Sequence, residues 1–376
     1  MPNGTKDSRM IRLPFNPSLA ELPVYQPGRP IEEVARELGA DPNDILKLAS
    51  NENPLGPGKK AVSALKDLAS KAHLYPDGGC FALRNALSAR LKVQGEQLIF
   101  GNGSNEIIEF LGHALLEPGA NIVVSQYCFA IYPIVAKMFG AEVKMVPAVD
   151  YGSDLDAMAE AIDSNTRIVF VANPNNPTGT LSASDRLEAM VDAIPETTLM
   201  VVDEAYVEYL ERPPALLDRI REGRENLLLM RTFSKIHGLA ALRLGYGVGH
   251  AEFVAALERV RQPFNVNAFA QAAAVAALDD EAHVVRTREL NAAELETLSL
   301  AMRDRKLEFV PSHANFLLIK VGEGAQVAAA LQKRGVIVRP VGGYGLPEWI
   351  RVTVGTREEN EIFLSSLDEI LGIYLD

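Results

Sequence analysis

The chain has 376 residues, of which 48% are hydrophobic, and a formal net charge of −12. This length predicts two domains. The negative net charge, with no block of basic residues, disfavours a nucleic-acid partner. No apolar run approaches the roughly 18 residues that span a membrane. Because Cys80 and Cys128 are too few for a disulfide framework or a cysteine zinc site, and no apolar secretory signal is evident, we expect no metal and a cytoplasmic location.

The first part of the chain is typical of an extended arm with little regular structure. A short helix is predicted over residues 31–38, a short strand over 45–49 and a longer helix over 59–69. We assign residues 1–45 to an N-terminal arm that packs with the smaller of the two expected domains.

The middle of the chain alternates between apolar runs and segments with helical periodicity. Seven runs suit buried strands: 98–100, 121–125, 142–146, 167–172, 199–203, 227–230 and 245–248. Strands that alternate with helices predict an α/β fold, here a mainly parallel seven-stranded sheet with helices on both faces. We assign residues 46–270 to this large domain, whose ligands should lie at the carboxyl ends of the strands.

The character of the sequence changes after residue 270. Helices and strands are predicted in an α+β order: helices over 271–278, 282–305, 327–333 and 358–371, and strands over 316–319, 336–339 and 350–354. We therefore expect residues 271–376 to form a smaller domain.

Lys235 is the most informative single residue. It follows Ser234 directly, and Arg243 comes eight positions later. A hydroxyl and a guanidinium near an amine can hold a phosphate, and an amine can form a Schiff base with an aldehyde. On these neighbours alone, a lysine that only binds phosphate is equally compatible with the sequence.

Two further motifs follow predicted strands. In Asn-Pro-Asn-Asn-Pro-Thr-Gly the prolines and glycine form a rigid turn that directs Asn176 above the sheet. Asp203 ends an apolar run, and a buried carboxylate there requires a partner such as a protonated ring nitrogen; Tyr206 lies close behind. The alternatives are a purely structural turn, a helix-capping aspartate and a packed core tyrosine.

A glycine-rich turn and an aromatic residue follow two other strands. Ser104 and Asn105 open a helix after Gly101-Asn102-Gly103, where backbone N–H groups can meet an anion, although such turns are common connections. Phe129 could cover one face of a flat ring or simply pack in the core.

Two arginines near the C-terminus fall in or beside apolar strands. Arg339 and Arg351 have planar guanidinium groups suited to a carboxylate or a phosphate, with a structural ion pair as the alternative.

These motifs, in this order, resemble the fold-type I pyridoxal-phosphate aminotransferases. The narrower resemblance is to histidinol-phosphate aminotransferases, and it rests on Tyr-Gln-Pro-Gly-Arg-Pro at 25–30, Ser-Asn-Glu-Asn-Pro-Leu-Gly at 50–56, Tyr-Pro-Asp-Gly at 75–78, Ser-Lys-Ile-His-Gly at 234–238 and Arg-Val-Thr-Val-Gly at 351–355. It covers nearly the whole chain after residue 20.

The resemblance implies a role for each matching residue. It implies that Lys235 carries pyridoxal 5′-phosphate as a Schiff base and moves the substrate proton, and that Asp203 binds the pyridine nitrogen. The implied cofactor contacts are Asn176 and Tyr206 at the ring oxygen, Phe129 on the ring face, Ser104, Asn105, Ser234 and Arg243 at the phosphate, and Tyr75 reaching the phosphate of the neighbouring subunit in a homodimer. The implied substrate contacts are Tyr25, Asn53, Arg339 and Arg351.

By the same resemblance, the expected reaction is transamination between L-histidinol phosphate and 2-oxoglutarate. Many relatives carry tyrosine where this chain has Phe129, which keeps ring stacking and removes a phenolic hydrogen bond. Aromatic amino-acid transamination, decarboxylation of a phosphorylated amino acid and cofactor-dependent regulation without catalysis are the alternatives.

Overall fold

The computed structural model describes residues 28–373 together with Ser18 and Leu22. Helices α1 to α13 span Ile31–Leu38, Lys59–Leu68, Phe81–Leu91, Ser104–Leu115, Ile131–Met138, Leu155–Glu160, Ser184–Ala193, Leu216–Arg221, Ala251–Glu258, Ala268–Leu278, Glu281–Asp304, Gly324–Gln332 and Arg357–Leu371. Strands β1 to β13 span Leu46–Lys47, Leu98–Gly101, Asn121–Ser125, Glu142–Val146, Thr166–Ala172, Leu199–Asp203, Leu227–Thr232, Gly245–Gly249, Phe309–Val310, Phe316–Lys320, Val336–Ile337, Arg339–Pro340 and Trp349–Thr353.

The main feature is a seven-stranded sheet with the order β2-β8-β7-β6-β5-β3-β4. Its strands pair in parallel from β7 to β4, whereas β8 runs antiparallel to both of its neighbours. Strands β2, β3, β6 and β8 are buried along their whole length, as expected for a sheet covered on both faces. The predicted α/β fold with a mainly parallel seven-stranded sheet is confirmed.

Two hydrophobic clusters cover the two faces of this sheet. One contains residues of α2, α3, α7, α8 and α10, and the other contains residues of α4, α5 and α9. The alternating β and α segments of the sequence therefore produce three layers, with the strand ends free to form a site.

Two smaller sheets involve the C-terminal part of the chain. An antiparallel sheet has the order β12-β13-β10-β9, and β1 pairs in parallel with β11. A third cluster, which includes Leu48, Leu298, Leu317 and Phe363, packs these strands against α11, α12 and α13.

One predicted strand was wrong in its extent. The run 336–339 forms two short strands, β11 and β12, which belong to different sheets. Val338 is buried between them. The chain changes partners at this point, and an apolar run alone cannot show such a change.

The limits of the domains remain a proposal. We propose that the smaller domain includes the described segment from residue 28 to about residue 50, because Val34, Ala35 and Ile45 pack with Ile337. We also propose that it begins again after α10, because α10 packs on α2 and α3. None of the described helices is long and apolar enough to cross a membrane.

Candidate active site

A cavity of about 420 Å³ lies at the strand ends of the large sheet. Its walls include the segment from Ala49 to Glu52, the ends of β5, β6 and β7 with the loops that follow, and the segment that holds Arg339, Tyr344 and Arg351. The segments that follow β2 and β3 also contribute to them. Eleven of the predicted site residues line it: Ser104, Asn105, Phe129, Asn176, Asp203, Tyr206, Ser234, Lys235, Arg243, Arg339 and Arg351.

Asp203 is a buried carboxylate at the end of β6. Its Oδ2 accepts a hydrogen bond of 2.7 Å from the Tyr132 hydroxyl, and its Oδ1 accepts one of 3.1 Å from the Ala205 amide. Burial raises the pKa of Asp203 to about 6, although the Tyr132 hydrogen bond acts in the opposite direction. A cationic partner inside the cavity would stabilise the charged carboxylate.

Lys235 presents its amine to the same cavity. Its Nζ donates a hydrogen bond of 3.2 Å to the Ser50 carbonyl and lies 5.6 Å from the centre of the Tyr206 ring. Burial, followed by the charges of Arg351 and Arg243, lowers the pKa of Lys235 to about 8. A larger fraction of this amine is therefore neutral, and nucleophilic, near neutral pH than in an ordinary lysine.

The N-terminus of α4 and Arg243 form a cradle with room for a small anion. Arg243 Nη1 lies 3.5 Å from the Ser234 hydroxyl. A Cβ atom at Gly103 would lie 2.3 Å from Arg243 Nη2, and one at Gly245 would lie 2.3 Å from the Ser104 amide nitrogen. Only glycine permits this close approach of arginine, hydroxyl and backbone N–H groups.

The rigid turn after β5 connects the large sheet with the C-terminal part of the chain. Arg351 donates from Nη1 to the Asn176 side-chain oxygen and from Nη2 to the Ala49 carbonyl, the latter at 2.9 Å. Asn175 ties the turn to the Tyr127 carbonyl at 2.7 Å. The amide nitrogen of Asn176 and the guanidinium of Arg351 are thereby held in one wall of the cavity.

Three predicted site residues lie elsewhere. The Asn53 amide donates to the Ile236 carbonyl and to the Thr287 hydroxyl, so Asn53 packs behind the cavity and does not line it. Tyr75 is 84% exposed and stacks on Phe264, 5.1 Å between ring centres. Tyr25 lies outside the described residues.

Sequence reasoning missed several residues that shape the cavity. The Asn51 amide donates a 2.8 Å hydrogen bond to the Tyr206 hydroxyl, and Tyr132 supports Asp203 from within α5 while stacking on Phe170. Glu52 and Tyr344 also line the cavity. Tyr132 lies three positions after Phe129, so a polar aromatic residue near a predicted ring contact was an available signal.

Comparison with known proteins identifies the family. The family model described as "Aminotransferase class I and II" matches residues 43–367. The chain belongs to the class I and II aminotransferases. The predicted enzyme class, a pyridoxal-phosphate-dependent aminotransferase, is therefore confirmed.

Individual relatives of this aminotransferase agree with the family assignment. It is 48% identical to histidinol-phosphate aminotransferase of Akkermansia muciniphila, over 95% of the chain and 98% of that relative. It is 50% identical to histidinol-phosphate aminotransferase 1 of Thiobacillus denitrificans, over 95% of the chain and 93% of that relative. The predicted narrower resemblance is thus confirmed.

A solved structure matches the fold. Histidinol-phosphate aminotransferase from Sinorhizobium meliloti, in complex with pyridoxal-5′-phosphate, has a TM-score of 0.86 and 28% identity, over 97% of this aminotransferase and 99% of that chain.

The cavity of the aminotransferase fits that cofactor on its own geometry. An amine suited to an aldehyde, a buried carboxylate that lacks a cation and a glycine-built anion cradle all face one space, which Phe129 and the small Ala205 also line. These are the groups that an aldehyde, a protonated pyridine and a phosphate require.

Proposed function

We propose that this aminotransferase interconverts L-histidinol phosphate and 2-oxoglutarate with imidazole-acetol phosphate and L-glutamate, a reaction of histidine biosynthesis. The observation that carries the proposal is the near full-length identity of 47–50% to several histidinol-phosphate aminotransferases. The charges that line the cavity support it, because Arg339 and Arg351 suit both a phosphate and a dicarboxylate.

The proposed roles in cofactor binding follow the cavity geometry. Asp203, held by Tyr132, binds the protonated pyridine nitrogen, and the amide of Asn176 with the Tyr206 hydroxyl binds the ring oxygen. Phe129 covers one face of the ring. The phosphate lies at Ser104, Asn105, Ser234 and Arg243. When bound, pyridoxal 5′-phosphate supplies an electron sink that makes the Cα–H bond of the substrate acidic.

Lys235 acts in two ways in this proposal. Its neutral amine is the group that would hold the aldehyde of the cofactor. When not so engaged, Nζ would take the proton from the substrate Cα and hold it until it is returned. Burial and the neighbouring arginines keep the Lys235 pKa near the working range of such a base.

The test is a single-turnover reaction of the cofactor-loaded protein with L-histidinol phosphate. Rapid loss of the absorbance of the lysine-bound cofactor, and appearance of imidazole-acetol phosphate, supports the proposal. Reaction with phenylalanine or tyrosine but not with histidinol phosphate would select aromatic transamination. Release of carbon dioxide from a phosphorylated amino acid would select the decarboxylase.

We also propose that the working unit is a homodimer in the cytoplasm. Tyr75 is solvent-exposed in the single chain and stacks on the half-exposed Phe264, so a second subunit could bury both rings. In this arrangement the Tyr75 hydroxyl reaches the cofactor phosphate of the neighbouring subunit. The unpaired, buried thiols of Cys80 and Cys128 fit a reducing compartment.

Mixed dimers test the reach of Tyr75 across the interface. When Tyr75→Phe chains are combined with Lys235→Ala chains, the Lys235→Ala subunit should lose cofactor faster than it does when its partner is a wild-type chain. Unchanged cofactor retention, or a monomer at micromolar concentration, would contradict the proposal.

A further inference from the structure

Glu52 is an acidic side chain in a cavity built mainly for anions. The described residues that line the cavity include four cationic side chains, those of Lys235, Arg243, Arg339 and Arg351. The acidic ones are Asp203, already assigned to the cofactor ring, and Glu52. A phosphate or a dicarboxylate gains nothing from a second carboxylate, so Glu52 requires another explanation.

The carboxylate of Glu52 acts on the interior of the cavity. Its negative charge raises the pKa of Lys235, and this effect is larger than that of the Asp203 charge. The backbone that carries it is fixed, because the buried amide of Asn315 donates to the carbonyls of Asn51 and Glu52 at 3.0 and 3.5 Å.

One oxygen of this carboxylate can still accept a hydrogen bond. Oε1 accepts from Lys47 Nζ at 2.9 Å, and the described part of the chain provides no hydrogen bond to Oε2. A carboxylate can accept about four hydrogen bonds. Two other acceptors at the cavity already receive a hydrogen bond: the Ser50 carbonyl from Lys235, and the Asn176 oxygen from Arg351.

The proposed substrate has a group that needs such an acceptor. Besides its amine and phosphate, histidinol phosphate carries an imidazole ring with an N–H donor, whereas glutamate carries no further donor there. We propose that the Glu52 carboxylate accepts the imidazole N–H of the amino donor and thereby determines selectivity for it. This inference rests on the proposed function, since it names the recognition of one part of that substrate.

Three amino donors separate this role from a general electrostatic one. L-Histidinol phosphate and L-phenylalaninol phosphate share the amine and the phosphate, and only the first has a ring N–H; L-glutamate has neither ring nor phosphate. The measurement is kcat/KM in the single-turnover half-reaction of each donor with wild type, Glu52→Gln, and the matched control Glu361→Gln, whose carboxylate is 66% exposed beside Arg357.

Glu52→Gln should lower kcat/KM for histidinol phosphate by roughly 10- to 100-fold, as expected when a charged hydrogen-bond acceptor is lost. It should raise kcat/KM for phenylalaninol phosphate. A phenyl ring that packs against Glu52 displaces water from the charged carboxylate, and the neutral amide of glutamine loses its water at a smaller cost in free energy. The KM for glutamate should fall, because a like charge has been removed. Glu361→Gln should match wild type with all three donors.

An equal loss with both phosphates would overturn the inference and would show that Glu52 acts only through Lys235, while the proposed function would stand. Failure of the wild-type protein to convert histidinol phosphate would overturn both. The absorbance of bound cofactor and the circular dichroism spectrum verify folding of each variant, and Glu52→Asp should keep part of the selectivity.

Discussion

Asp203, the residue proposed to bind the cofactor ring, should destabilise the cofactor-free protein. Burial raises its pKa to about 6 from an ordinary 3.8. The folded state therefore binds more protons than the unfolded state between these values, and stability falls as the pH rises from about 4 to 6. At pH 7 the whole penalty is present, about 3 kcal/mol.

Asp203→Asn should therefore stabilise the cofactor-free protein at pH 7 by about 2–3 kcal/mol and give no gain at pH 4. The free energy of unfolding in urea, measured at both pH values, is the test. The same variant should bind pyridoxal 5′-phosphate far more weakly. A gain of equal size at both pH values would show that the charge of Asp203 is not its source.

Arg351 should influence the amine of Lys235 as well as the substrate. Its charge is the second-largest cause, after burial, of the lowered Lys235 pKa of about 8. Arg351→Gln should move the pH midpoint for capture of pyridoxal by the cofactor-free protein upwards, because the protonated amine is then less disfavoured. Pyridoxal, which lacks the phosphate, isolates the effect on the amine.

The capture rate, followed by absorbance between pH 6 and pH 10, gives this midpoint. Arg303→Gln is the control, since Arg303 is 57% exposed and contacts Phe309 away from the cavity. An unmoved midpoint in Arg351→Gln would show that the charge of Arg351 does not contribute to the lowered Lys235 pKa.

Residue types at strand ends could be predicted to form the site, but their supporting partners could not. Asp203 and Lys235 are recognisable by type and position. Asn51 could not be predicted to reach the Tyr206 hydroxyl, because its hydrogen bond joins residues 155 apart in sequence. For Asn53 the sequence motif was not sufficient. The resemblance implied a substrate contact, whereas the Asn53 amide donates hydrogen bonds to the Ile236 carbonyl and the Thr287 hydroxyl.

At the scale of elements, the close contact between β8 and the start of α4 shapes the anion cradle. Gly245→Ala would place a Cβ atom 2.3 Å from the backbone nitrogen of Ser104, so strand or helix must shift. We expect cofactor affinity to fall by roughly 10- to 100-fold, because the N–H groups that meet the phosphate move.

Equilibrium dialysis or fluorescence titration of pyridoxal 5′-phosphate measures this loss. Gly79→Ala is a matched control, because its nearest new contact would be an ordinary 3.5 Å with Asp77. Affinity that remains at the wild-type value in Gly245→Ala would argue against the cradle as the phosphate site.

Most strands of the large sheet were predictable because they are short apolar runs between polar turns, and burial on both faces makes such runs continuous. The edge strand β4 departs from the prediction of a buried strand, since Glu142 and Met145 are exposed and only Val146 is buried. The order of the strands in the sheet could not be predicted. Strand β8 lies between β2 and β7 because it forms hydrogen bonds with both, and the sequence does not show which strands pair. The division of residues 336–339 into β11 and β12 could not be predicted either, because it also depends on which strands pair.

At the scale of the whole molecule, the proposed cofactor contacts lie in the large sheet, whereas Trp349, the one tryptophan of the chain, lies in β13 of the small antiparallel sheet. If the two units unfold separately, saturating cofactor should raise the midpoint followed by far-UV circular dichroism by about 10 °C. The midpoint followed by Trp349 fluorescence should rise by less.

Both midpoints are measured in the same thermal scans, with and without cofactor. Coincident transitions that shift together would show one cooperative unit and would count against the proposed division. Lys235→Ala, which should bind the cofactor only weakly, provides the control for non-specific effects of the added ligand.

The hydrogen bond from Arg351 to the Ala49 carbonyl joins residues 302 apart in sequence. At translation rates of about 5–20 residues per second, Ala49 leaves the ribosome about 15 to 60 seconds before its partner is made. During that interval Ala49 and its neighbours lack the guanidinium that later holds this wall of the cavity. This wall of the cavity is therefore completed late in biosynthesis, after most of the chain has been made.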